Sequence, residues 1–155
     1  EWSVGSIMAQ KEAWEKRGLL TTVWSDHRSI NTDAALPPSQ VLIVDAMGFL
    51  TRIYAVANAA VVGGGFGEGI HNTLEPAAHG VYIWVGPNCG RFIEAQLLES
   101  SGGLKVVTSE TALTAAVQHA LLDVKVLKEK GLQAQSFARV NAGSAQRIAS
   151  GLLSL

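Results

Sequence analysis

The chain has 155 residues, 48% of them hydrophobic, with 12 basic and 13 acidic side chains, so it can bury a sizeable core but has no cationic stripe for nucleic acid. One cysteine, Cys89, excludes an internal disulfide, leaves no metal-ligand cluster with four scattered histidines, and fits a reducing compartment. The longest apolar stretch, Ile53 to Phe66, is broken by Asn58 and by glycines and falls short of the ~20 residues of a spanning helix, so no membrane segment is expected. One compact unit over residues 1–155 is expected. The opening Glu1-Trp2-Ser3 carries no initiating Met and no signal or transit pattern, as a fragment would.

Helix-like and strand-like patterns alternate, which predicts an α/β domain with a mostly parallel sheet and right-handed crossovers. Ser3 to Arg17 reads as a helix ending at Gly18, then Leu19 to Trp24 as a strand. The polar segment Ser25 to Gln40 reads as a loop, with Pro37 and Pro38 against regular structure. Val41 to Val44 reads as a buried strand ending in Asp45, an oxygen able to cap the helix that follows over Gly48 to Ala57. Ala59 to Val62 is the next strand, Asn72 or Thr73 to His79 a short helix, and Val81 to Val85 a strand. Arg91 to Glu99 is a helix and Leu104 to Val107 a strand. Two helices close the chain, Glu110 to Lys130, with a break allowed, and Leu132 to about Leu152. The charges from Asp123 to Lys130 read as a solvated helix face, and Leu152, Leu153 and Leu155 as a terminus docked on something apolar. The four tryptophans, Trp2, Trp14, Trp24 and Trp84, lie outside the strand-end loops and read as core or interface.

In open parallel sheets ligands sit beyond the carboxyl ends of the strands, so the loops after Val44, Val62 and Val85 lead as site candidates. The second is the most informative. In VVGGGFGEGIHNTLEPAAHG, glycines at 63, 64, 65, 67 and 69 permit backbone angles and close ligand approach that side chains would block. A simple connection would not need so many, so they favour an anion such as phosphate in the loop, with Asn72 or Thr73 supplying capping oxygens where the next helix begins. The dinucleotide and Walker spacings are both missing. Asn72-x-x-Glu75 fits a capping box, with Glu75 bonded back to the backbone; capping by Thr73 instead puts Pro76 in the first turn and frees Glu75 to accept hydrogen bonds from a ribose. His71 could donate to a phosphate or fix the entry of the loop. Met47 and Gly48 could edge a nucleobase, or be a core methionine and a turn glycine. Asn88 and Arg91 could touch sugar or phosphate, or serve the surface. No Ser/His/Asp, paired-carboxylate or metal spacing is present.

These residues resemble a known family. GGGFGEGIHNTLEPAAHG, with VLIVDAMGFLTRIYAVANAAVV before it and VGPNCGRFIEA after it, is similar to the 3-deoxy-D-manno-octulosonic acid (Kdo) transferases, strongly from Val41 to Glu99 and more weakly to Asn141-Ala142-Gly143-Ser144. The GGGFGxGIHNTLE form looks like a Bacteroidetes-type variant. The resemblance implies the Rossmann-like C-terminal half of a GT-B glycosyltransferase, a single nucleotide-sugar-binding domain whose acceptor half is absent from this chain. It implies CMP-Kdo as donor substrate, no other cofactor and no metal, a lipid A precursor as acceptor in lipopolysaccharide biosynthesis, and the cytoplasmic face of the inner membrane as the place of work. Within it, Met47 and Gly48 would lie beside cytosine, Gly64 and Gly65 by the phosphate, Asn72 would hold that loop and Glu75 take the ribose, and Gly69, His71 and Thr73 complete the site. The family's general base would lie in the missing half, so this chain alone should not transfer sugar. Phe49, Ala46, Asn58 and Tyr82 depart from the residues usual in the family. Two rival readings are a GT-B transferase using a UDP-sugar and a non-catalytic nucleotide-binding module.

Overall fold

The computed structural model describes residues 3–28, 38–143 and 150. By their contacts the residues form two compact units, Glu1–Phe49 and Leu50–Leu155.

In the first unit the Ser3 hydroxyl accepts the Ser6 amide at 3.2 Å, which sets the start of α1 (Val4–Glu15). Strands β1 (Thr21–Val23) and β2 (Val41–Ile43) pair in parallel, Thr21 against Val41 and Val23 against Ile43. Strand β2 is half-exposed rather than buried, because a two-stranded sheet cannot cover both faces of an apolar run. The segment read as a loop from Ser25 begins instead inside α2 (Trp24–Arg28). Its helical start has a partner that is distant in sequence: Asp45 accepts the Ser25 amide at 3.0 Å, so this carboxylate serves α2 and not the helix after β2. Hydrogen bonding, chiefly from the Ser25 side chain, holds the Asp45 carboxyl below the usual carboxylate range. Trp24 packs on Phe49 with ring centroids 4.9 Å apart. Trp2, residues 29–37 and the terminal leucines lie outside the described residues.

The second unit runs α3 (Leu50–Tyr54), β3 (Ala59–Val62), α4 (Leu74–Ala78), β4 (Tyr82–Val85), α5 (Ile93–Ser100), β5 (Leu104–Val106), α6 (Glu110–Leu122) and α7 (Val124–Asn141). Its three strands are parallel in the order β3-β4-β5, with Val61 opposite Trp84 and Val85 opposite Val106. All four residues of β4 are buried, as a central strand covered on both faces requires. On one side Ile83 and Val85 pack with Ala77, Ala95, Leu98 and Ala134 from the helices. On the other, Tyr82 and Trp84 pack with Ala120 and Leu127. Full burial of a side chain such as Ile83 or Leu98 stabilises the fold by about 1.5–3 kcal/mol. No helix among the described residues is long and apolar enough to cross a membrane.

The last two helices divide at Asp123, not at Gly131. The Asp123 carboxylate accepts the amides of Lys125 at 3.0 Å and Val126 at 3.3 Å and so starts α7, which then runs through Gly131 without a break. A Cβ on Gly131 would collide with the Gly80 carbonyl. This glycine is therefore a packing residue where α7 crosses the turn before β4, a role that imitates a helix stop in the sequence.

Candidate functional site

Because β3 and β4 are neighbours, the loops beyond their carboxyl ends lie side by side. The glycine loop closes on itself: Gly64 O accepts the amides of Gly67 at 2.9 Å and Gly69 at 3.1 Å, and Gly63 O accepts that of His71 at 3.1 Å. The loop after β4 braces it from outside. Asn88 donates its backbone amide to Gly65 O at 2.9 Å and its side-chain amide to Gly67 O at 2.7 Å, and the Arg91 guanidinium donates to Glu68 O. Asn88 and Arg91 thus hold the candidate site in shape through protein oxygens. Sequence reading missed this role, although adjacency of the two loops follows from adjacency of the two strands.

The five loop glycines separate into two groups. Gly64 has φ 87° and Gly69 φ 142°, and side chains at these positions would strike the Gly69 carbonyl and the Arg91 guanidinium respectively. Gly65 is buried, and a Cβ there would lie 2.5 Å from Gly86 N. Packing inside the protein accounts for all three. Gly63 and Gly67 differ: both are exposed, and a Cβ would meet only ordinary contacts at 3.7 Å, with the His71 ring and with Gly64 O. Nothing in the fold requires glycine at 63 and 67, so they mark where the backbone is left open to something else. The amide of Gly64 makes no backbone bond among the described residues.

At the start of α4 the cap is shared in a way the sequence left open. Thr73 occupies the cap position by backbone geometry, yet its side chain makes no capping bond. Asn72 supplies the oxygen, accepting the amides of Leu74 at 2.9 Å and Glu75 at 3.4 Å. Those two amides are consequently spent, and the five-residue helix has little dipole to offer an anion, so the free helix start expected from the sequence is replaced by the loop's own backbone. Thr73 is 1% exposed and its hydroxyl has no hydrogen-bond partner. Glu75 does not turn back on the backbone to complete a capping box. Its carboxylate accepts a hydrogen bond from the Thr51 hydroxyl of α3, and Tyr54 and His79 stand close by, their rings 6.4 Å apart. Burial first and the Glu75 charge second push the Tyr54 phenol up.

No family model matches the chain. Over 133 residues it is 35% identical to the 3-deoxy-D-manno-octulosonic acid transferase of Chlamydia muridarum, an alignment covering 84% of this chain and 29% of that protein. Over 114 residues it is 35% identical to the Haemophilus influenzae protein of the same name, covering 71% of this chain and 26% of that protein. Its fold matches the crystal structure of the C-terminal CMP-Kdo binding domain of WaaA from Acinetobacter baumannii with a TM-score of 0.65 and 24% identity, over 81% of this chain and 64% of that one. In sequence the chain is similar to a portion of these Kdo transferases, and in fold to the C-terminal domain of WaaA. It spans less than a third of the two curated relatives, 29% and 26% of their lengths, and has the architecture of the C-terminal half of a GT-B glycosyltransferase.

Met47 is 96% exposed on the turn after β2, which rules out a core methionine, and Gly48 beside it has φ 83°. Both belong to the first unit. Two departures from the family pattern have packing reasons: Phe49 lies against Trp24, and Tyr82 meets Trp84 edge-on at 5.0 Å. Cys89 is buried, and burial pushes its thiol up, away from the thiolate a nucleophile or metal ligand needs. Among the described residues no group of His, Cys, Asp and Glu is placed to hold a metal ion. A groove of about 420 Å³ between α6, α7 and the sheet, lined by Tyr82, Trp84, Lys105, His119 and Lys130, contains none of the candidates.

Proposed function

We propose that this chain is the CMP-Kdo-binding half of a glycosyltransferase that transfers Kdo to a lipid A precursor at the cytoplasmic face of the bacterial inner membrane. The observation that carries the reading is the pair of glycines, Gly63 and Gly67, that the fold leaves unexplained on a loop braced from behind by Asn88 and Arg91. A backbone free of side chains at both points lets a phosphate come within reach of loop amides, with His71 exposed beside Gly63. Glu75, a half-buried carboxylate with a hydroxyl as its partner, is suited to accept hydrogen bonds from a pentose.

In this reading Kdo leaves CMP by inverting displacement at its anomeric carbon: the acceptor oxygen forms the new bond as the bond to the phosphate oxygen breaks and the electron pair departs with CMP. The base that takes the acceptor proton belongs to the other half of the enzyme. The contribution of this half is to hold the phosphate as it gains charge, an effect worth about 3 kcal/mol per well-aimed donor. Nucleotide-dependent protection against heating tests the donor. CMP at 100 times its Kd should add about 2.7 kcal/mol of stability and raise the Tm, and UMP and UDP at the same concentration should do much less. Stronger protection by UDP would transfer the chain to the UDP-sugar enzymes, and the absence of transfer after joining it to a matching N-terminal half would favour a non-catalytic binding module.

A further inference from the structure

Resting on the reading of Glu75 as the pentose ligand, we infer that Thr51 is a positioning residue that aims the Glu75 carboxylate at the nucleotide. Thr51 lies in the first turn of α3 and Glu75 in the first turn of α4, 24 positions apart, and among the described residues the only side-chain hydrogen bond of either joins the two. An ionised carboxylate accepts and never donates, so the threonine hydroxyl must spend its proton on Glu75. That leaves the second carboxylate oxygen without a partner among the described residues and able to accept from the hydroxyls of a sugar. No Lys or Arg among the described residues forms an ion pair with Glu75. A cation there would hold the carboxylate more firmly but compete with a neutral ligand, whereas a hydroxyl fixes one rotamer and leaves the charge available. Thr51 is exposed and packs into neither core cluster, so its conservation of the fold is small and its effect on ligand geometry is separable.

The test uses the full 155-residue chain with CMP and its 2′,3′-dideoxy analogue, titrated by calorimetry. Thr51→Val keeps the shape and removes the hydroxyl; it should weaken CMP about fivefold, the size of one lost hydrogen bond, and leave the dideoxy analogue, which has no hydroxyls for Glu75, unchanged. Thr51→Ser should restore CMP binding to within about twofold of the original chain. Unchanged CMP affinity in Thr51→Val, or equal weakening of both nucleotides, would overturn the inference. Glu75→Gln in parallel separates the two levels: if it weakens CMP and Thr51→Val does not, only the positioning role fails, and if it leaves CMP binding intact, the pentose reading fails and the positioning role with it.

Discussion

Replacing Gly65 with alanine is expected to destabilise the chain by about 3 kcal/mol, the upper range for forced overpacking, and to lower the Tm by roughly 6–12 °C for a protein of this size. The cause is a contact between two backbones. The loops after β3 and β4 touch where Gly65 meets Gly86: a Cβ on Gly65 would lie 2.5 Å from Gly86 N and 2.8 Å from its Cα, and one on Gly86 would lie 2.8 Å from Phe66 N. Neither backbone can rotate away as a side chain would, because Val85, directly before Gly86, is paired in the sheet with Val62, three residues before Gly65. Gly86→Ala should cost a similar amount, and the double variant less than the sum of the two, since both methyl groups demand the same widening. Gly67→Ala is the internal control. Its Cβ would meet nothing closer than 3.7 Å, so its stability should change by less than about 0.5 kcal/mol while nucleotide binding falls. Denaturant unfolding of the four variants measures all of this. Equal stability of Gly65→Ala and the original chain would show that the two strand-end loops are not in contact.

Glu75→Gln carries the largest expected effect on binding. The substitution preserves size and hydrogen-bonding shape and removes one negative charge; hydrogen bonds to charged groups are worth about 1.5–3 kcal/mol, so CMP affinity should fall roughly 10- to 100-fold. Stability should change little, because Glu75 is only half-buried and its partner is the exposed hydroxyl of Thr51. A variant that folds normally and has lost most of its affinity for CMP would assign the loss to the ligand contact. Undiminished affinity would remove Glu75 from the site.

Local signals made much of this legible in the sequence. Strand β3 has the bounds read from its apolar run, Ala59 to Val62, because Asn58 and Gly63 delimit it on both sides. The short α4 was legible from Asn72, Thr73 and Pro76, and the alternation of elements gave the parallel order its basis. What escaped depends on distant partners. Gly131 has the composition of a helix stop and the function of a close contact with Gly80, which only the tertiary packing of α7 reveals. Asp45 caps a helix 20 residues before it instead of the one that follows. All five loop glycines read alike in the sequence, as permitting close ligand approach, whereas packing requires glycine at 64, 65 and 69 and not at 63 and 67, a distinction invisible without the neighbouring loop. Thr51 gave no signal at all, since its partner lies 24 residues away on another helix.

The most direct test of the whole account is a crystal structure of the chain soaked with CMP. The phosphate is expected against the backbone at Gly63 and Gly67 and the pentose hydroxyls on Glu75, with Thr51 still bonded to the other carboxylate oxygen. CMP bound elsewhere, for example in the groove beside Trp84 and His119, with Glu75 touching only Thr51, would contradict it.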